Sequence, residues 1–95
     1  MSKLSKFNKD DIQNLANNKP VVYKILDKND NNIYTGKAKR GRVKQRLIEH
    51  LPGQKDAIPG GVKVVITQKS SIAEAGESES RIIKRAQPKH NKKGK

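Results

Sequence analysis

Two apolar, β-branched runs, Val21 to Leu26 and the shorter Asn32 to Lys37, flank the segment DKNDN. Asp, Asn and Lys between two such runs are turn chemistry, so the pattern predicts a β-hairpin. In an antiparallel pair, opposite residues share a face and their numbers sum to a constant. A two-residue loop at 28–29 makes that constant 57 and pairs Tyr23 with Tyr34. A four-residue loop at 28–31 makes it 59, pairing Tyr23 with Gly36 and Tyr34 with Ile25. Either register puts both tyrosines on one face; a three-residue loop would separate them.

Ahead of the hairpin, FNKDDIQNLANNKP predicts a short helix. Asn8 caps it, Asp11 takes the third helical position, Phe7 staples onto Ile12, and Asn17-Asn18-Lys19-Pro20 stops it. Beyond the hairpin, Gly41 breaks the chain and RVKQRLIEHL reads as a helix. Its apolar stripe is Val43, Leu47 and Leu51 at i, i+4, i+8, with Arg42, Arg46 and His50 in a parallel stripe one residue back. PGQKDAIPGG is a loop, VKVVIT a third strand, and SIAEAGESESRIIKRA a second long helix. Ser70 or Ser71 caps that helix, Gly76 is expected to interrupt it, and Pro88 ends it. The sum is a small α+β domain, a three-stranded, mainly antiparallel sheet flanked by helices.

Ninety-five residues are one domain's worth of chain. With 32% apolar and 3% aromatic residues, the core must rest on Ile, Val and Leu. Charge changes the picture more. Twenty-two Lys and Arg against nine Asp and Glu leave +13. That much like charge strains a compact state and points to a polyanionic partner. Nucleic acid fits better than a membrane, since no apolar segment reaches a spanning length. The densest basic block is KAKRGRVKQR, and the C-terminal KRAQPKHNKKGK closes in a basic tail over 92–95. The absence of cysteine excludes disulfides, thiolate nucleophiles and Cys-based zinc sites. The opening MSKLSKFNKD has no signal-peptide core, as expected of a cytoplasmic chain; export by a signal-independent route would look the same.

Taken singly, the polar candidates have ordinary explanations. A strand tyrosine usually packs with its hydroxyl at the rim. Arg and His four apart usually share a solvated helix face, and Glu74, Glu77 and Glu79 amid lysines are usually surface ion-pair partners. His90 reads as a tail residue.

The order of the motifs is less ordinary. Pro20-Val21-Val22-Tyr23, then Ile33-Tyr34-Thr35-Gly36-Lys37-Ala38-Lys39, then Arg46 with His50, then ESRIIKRAQPKHN from Glu79 to Asn91 resemble the successive motifs of the GIY-YIG nuclease superfamily. The nearest likeness is to the nuclease domain of the excision-repair subunit UvrC. The resemblance covers residues 20–91, leaving 1–19 as a helical extension. Val-Val-Tyr stands where the family has Gly-Ile-Tyr, and Tyr-Thr-Gly forms the second motif. Arg46 is chosen over Arg42 because His50 follows it by one turn, a spacing that resembles the homing-endonuclease branch.

The resemblance implies a metal-dependent endonuclease acting on DNA, with one divalent cation, Mg²⁺ or Mn²⁺, held by Glu79. Glu79 is preferred to Glu77 because it stands four residues before Ile83-Lys84 and nine before Pro88, as in the family pattern. Arg46 would clamp the phosphate. Tyr23 and Tyr34 would position and deprotonate the water, with Lys37 and Arg46 lowering a phenol pKa that is ordinarily near 10. His50 would orient a tyrosine or shuttle the proton. Lys37, Lys39, Arg40, Arg42, Lys44, Lys84 and Arg85 are the candidate phosphate contacts, and Gly36 and Asn91 the structural positions. Which tyrosine is the base stays open. So do RNA as substrate, a toxin role, and a non-catalytic binding module on the same fold. Family members usually take specificity from a second domain, so a separate specificity subunit or domain is an expected partner.

Overall fold

The computed structural model describes residues 2–15 and 17–88. Along the chain run β1 (Ser2–Lys6), α1 (Lys9–Gln13), β2 (Val21–Leu26), β3 (Asn32–Ala38), α2 (Val43–Glu49), β4 (Lys63–Gln68) and α3 (Ile72–Ala86). The strands form one antiparallel sheet in the order β1-β4-β2-β3. It has four strands where three were expected. The extra one is β1, which lies in the segment expected to be only a helical extension and pairs with β4 from Ser2 opposite Thr67 to Lys6 opposite Lys63.

Next to the turn Leu26 lies opposite Asn32, a constant of 58; an irregularity between Ile25 and Leu26 shifts the rest of the hairpin to 59, with Val21 opposite Ala38, Tyr23 opposite Gly36 and Ile25 opposite Tyr34. The turn itself is a three-residue loop, the length that would have separated the tyrosines, and the register shift beside it returns both to one face. Asp27 Oδ1 accepts from the backbone N–H of Asn29 and of Asn31, both at 2.9 Å. The Asp27 N–H in turn donates to the Asn31 carbonyl at 3.0 Å, closing a loop with Asp30 at φ +65°. Asp tolerates that conformation because its short side chain bonds locally.

Alternation then sorts the sheet into two faces. Val21, Tyr23 and Ile25 of β2 and Val64 and Ile66 of β4 join a core with Ile12 of α1, Leu15 just beyond it, and Val43 and Leu47 of α2. The opposite face carries α3, which packs on β3 and β2. α1 begins as its sequence indicates, with the Asn8 side chain accepting from the Asp11 N–H. α2 is capped from a distance. Its own first residue offers no side-chain cap, and Asn17 Oδ1 accepts from the Val43 N–H at 2.9 Å instead. α1 stops at Gln13 with Asn14 as its cap, four residues before the run expected to end it, and Asn17 instead ties the segment before the sheet to the helix after it. α2 ends at Glu49, so Leu51 packs against the core from beyond the helix. In α3, Ser71 accepts from the Glu74 N–H, and Gly76 lies inside the helix without interrupting it. No helix among the described residues is long and apolar enough to cross a membrane.

Gly36 is set by its cross-strand partner. The Tyr23 ring lies over it so closely that a Cβ there would stand 2.5 Å from the phenol oxygen and 2.6 Å from Cζ. Gly36→Ala must therefore push the ring out of its place. We expect a loss of about 1–3 kcal/mol, the usual cost of overpacking, read by urea denaturation. Unchanged stability would contradict this packing of hairpin and ring.

Candidate active site

Tyr23 is placed by strand alternation on the core face, where only 1% of it is exposed. A buried phenol needs a partner for its hydroxyl. It finds one in His50, whose Nε2 lies 2.8 Å from Tyr23 Oη. His50 follows directly on α2 and is itself 1% exposed, so the stripe that begins at exposed Arg42 runs into the core at this end. Its other nitrogen, Nδ1, is 2.9 Å from the Asp56 carbonyl oxygen. A carbonyl can only accept, so that contact assigns the hydrogen to Nδ1. In a neutral imidazole Nε2 is then the acceptor, and Tyr23 O–H donates to it. Burial depresses the His50 pKa below its ordinary value and, with a smaller push from Arg46, outweighs the opposing Asp56 hydrogen bond. Tyr34, half-buried on the same face, completes a group of three rings, with centroids 4.8 Å from His50 and 6.2 Å from Tyr23.

Arg46, one turn before His50, approaches these phenols from α2. Its Nη1 donates to Glu49 and, at 3.3 Å, to Asp56 Oδ2. Neither acid stood out in the sequence: Glu49 is masked within a basic helix, and Asp56 lies in a stretch that reads as turn residues. Cations were expected to lower the tyrosine pKa values. The fold does the opposite. Burial raises Tyr23 and the Tyr34 charge adds to that, while Arg46 opposes without prevailing. Tyr34 is raised in the same way, by burial first. Lys37 is engaged elsewhere.

Its partner is Glu79. Lys37 sits opposite Val22, on the face that carries α3, and its Nζ donates to Glu79 Oε1 at 3.1 Å. The Glu79 charge nonetheless reaches both phenols and adds to the rise in their pKa values. The two faces meet at the open edge of β3, where Lys37, Lys39, Arg42 and Arg46 line a groove of about 240 Å³ with Ala38 and Ile72. The other basic candidates are dispersed. Arg40 is exposed and Lys44 half-buried outside that groove. Lys84 is exposed toward the end of α3, and Arg85 lines a separate cleft with Lys24 and Arg81. Glu77 is exposed and makes no ion pair with Lys37. Asn91 and His90 lie outside the described residues.

Among the described residues, no group of three or more His, Asp or Glu side chains gathers to form a ready-made metal cage. What Glu79 offers is a single hard oxygen donor, joined to the groove through Lys37. That donor set suits a hard cation which keeps waters and takes further oxygens from a substrate, and does not suit zinc.

The tautomer and burial make a measurable statement. His50 should titrate below about 6.5, the ordinary value, in an NMR pH series. Because the unfolded chain binds that proton more readily, the folded state should lose stability as pH falls from the ordinary value toward the depressed one. A midpoint above the ordinary value would contradict the donor assignment.

Comparison with known proteins gives concordant results. A family model described as the GIY-YIG catalytic domain matches residues 19–93. UvrABC system protein C of Methylococcus capsulatus is 35% identical over 78 residues, covering 76% of this chain but only 12% of that protein. The crystal structure of the GIY-YIG N-terminal endonuclease domain of UvrC from Thermotoga maritima, bound to its catalytic magnesium, superposes with a TM-score of 0.68 at 31% identity, over 81% of this chain and 88% of that one. A tyrosine-to-phenylalanine mutant of that domain, also bound to its catalytic divalent cation, gives 0.68 at 30% identity over the same shares. The hairpin tyrosines, the helix-borne arginine and the α3 glutamate thus stand in a chain that belongs to the GIY-YIG family and carries its catalytic domain.

Proposed function

We propose that this domain is a divalent-cation-dependent endonuclease that hydrolyses phosphodiester bonds in DNA. The observation that carries this reading is the donor order Tyr23 O–H to His50 Nε2, with His50 one turn beyond Arg46, which lines a groove together with Lys37, Lys39 and Arg42. A phenol whose pKa is raised is scarcely ever a phenolate at neutral pH, so a free phenolate is a poor candidate for the base. The hydrogen bond removes the need for one. As the attacking water loses a proton to the Tyr23 oxygen, Tyr23 passes its own to His50 Nε2, which is neutral and already aligned to accept it. The new P–O bond forms while the bond to the leaving oxygen breaks. That oxygen is protonated from solvent, and His50 later returns its proton there.

Each neighbour has a part. Lys37, Lys39 and Arg42 would seat the DNA backbone along β3, and Arg46 would present its planar fork to the phosphate undergoing attack. Tyr34, less buried and beside His50, would orient the water. Glu79 would hold the cation, which supplies positive charge against the phosphate oxygens and the leaving group. Lys37 would then exchange its bond to Glu79 for one to phosphate. Target choice would come from a separate subunit or domain, a proposal supported by the small share of the UvrC relative that this chain spans. A cytoplasmic setting follows from the proposed substrate.

Supercoiled plasmid incubated at low salt with Mg²⁺, Mn²⁺ or EDTA tests the activity. Wild type should nick only with metal, and Glu79→Gln should bind DNA without nicking; cleavage retained by the variant would reject Glu79 as the metal holder. The rate should also fall about tenfold per pH unit on the acid side of the His50 pKa, as a single essential base requires. A flat acid profile would exclude His50 as the proton acceptor.

A further inference from the structure

We propose that Asp56 is a positioning residue for this cleavage, holding Arg46 through its carboxylate and His50 through its carbonyl; the proposal rests on the nuclease reading above. Pro52 to Gly61 reads in sequence as a mere connection between α2 and β4, yet the structure folds it back onto the end of α2. The Asp56 N–H donates to the Glu49 carbonyl at 3.0 Å and the Ile58 N–H to the His50 carbonyl at 2.9 Å. Two carbonyls left over at the helix end are thereby satisfied, and Ile58 is buried as the anchor. The loop is thus held at a defined place against α2, and Asp56 turns both remaining groups to the site. Its carbonyl oxygen takes His50 Nδ1–H at 2.9 Å, and its Oδ2 takes Arg46 Nη1 at 3.3 Å.

The choice of nitrogen matters. Both acids that bind Arg46, Glu49 and Asp56, use Nη1. Among the described residues no carboxylate takes Nη2 or Nε, so the two acids pin one corner of the fork while the guanidinium also faces the Tyr23 and Tyr34 hydroxyls. Stability does not explain the arrangement. The Asp56 side chain is 48% exposed, and ion pairs that open to water add little. A carboxylate beside a phosphate groove also repels the substrate. Its retention there makes sense if it sets the direction of the guanidinium.

These opposing effects give the test its signature. In the full chain, Asp56→Ala should lower the single-turnover cleavage rate at saturating protein by about 10- to 100-fold, the usual cost of a catalytic group displaced by an ångström or so. DNA affinity should be unchanged or tighter, because a negative charge has gone, and the melting temperature should hold. Asp56→Asn, which keeps an oxygen acceptor, should recover part of the rate. The acid limb of the pH profile should persist in both variants and move, if at all, to lower pH, since the carbonyl to His50 is untouched and only a carboxylate charge that raises the His50 pKa is lost. A rate within twofold of wild type, or a loss expressed as weaker binding or a collapsed melting temperature, would overturn the proposal.

If wild type itself does not cleave, the nuclease reading fails, and the anchoring is judged from the ¹⁵N–¹H signals of the Arg46 guanidinium. Separate Nη signals in wild type that merge in Asp56→Ala uphold the anchor. Identical signals in the two proteins overturn it.

Discussion

A phenol hydroxyl withdrawn from bulk water must hydrogen-bond or carry a desolvation cost of a few kcal/mol, and Tyr23 meets that demand through a residue 27 positions away. Three separate choices in the fold serve this one bond. Gly36 is bare because the Tyr23 ring occupies the space of its side chain. α2 stops at Glu49, so that His50 turns inward as the helix cap. The loop beyond it returns a carbonyl to Nδ1, which fixes the imidazole as an acceptor toward Tyr23. Strand, helix and loop are thus joined at a point where the core and the chemistry coincide.

The hairpin was legible because apolar alternation names its faces and Asp27 marks its turn; the irregularity between Ile25 and Leu26, which sets the register of the tyrosines, was not. The Asn8 and Ser71 caps were legible for a similar reason, since capping is a local hydrogen bond between near neighbours. β1 was not. Its residues are polar apart from Leu4, and only the edge of β4 makes them a strand; Leu4 itself stays exposed. Gly76 was misjudged as a break because propensity is a weak signal inside a helix that packs along a sheet. At the site, motif order led to Tyr23, Tyr34, Arg46, His50, Lys37 and Glu79, and the structure brings these six around the edge of β3. The direction of the phenol pKa shift was hidden, because it depends on burial, and burial on the whole fold. Asp56 and Glu49 were hidden too, since their partners lie across turns that only the folded chain closes.

Charge works on two scales here. Over the whole chain +13 creates a field that draws in a polyanion from a distance and makes binding steeply dependent on salt. Within the site the balance is finer. Three of the nine acids, Glu49, Asp56 and Glu79, are matched to Arg46 and Lys37. Those two cations are held ready, and each can yield a bond to phosphate without leaving a buried charge alone. Long-range attraction needs only the number of lysines and arginines; the local pairing needs particular positions.

The central claim is that Tyr23 and His50 act as one proton-accepting unit. A double-mutant cycle of single-turnover cleavage with Tyr23→Phe, His50→Gln and the combined variant tests it directly. Residues that act as a unit lose rate non-additively, so the combined variant should be no slower than the worse of the two single variants. If the two losses multiply, the residues act independently, and the proton does not pass between them.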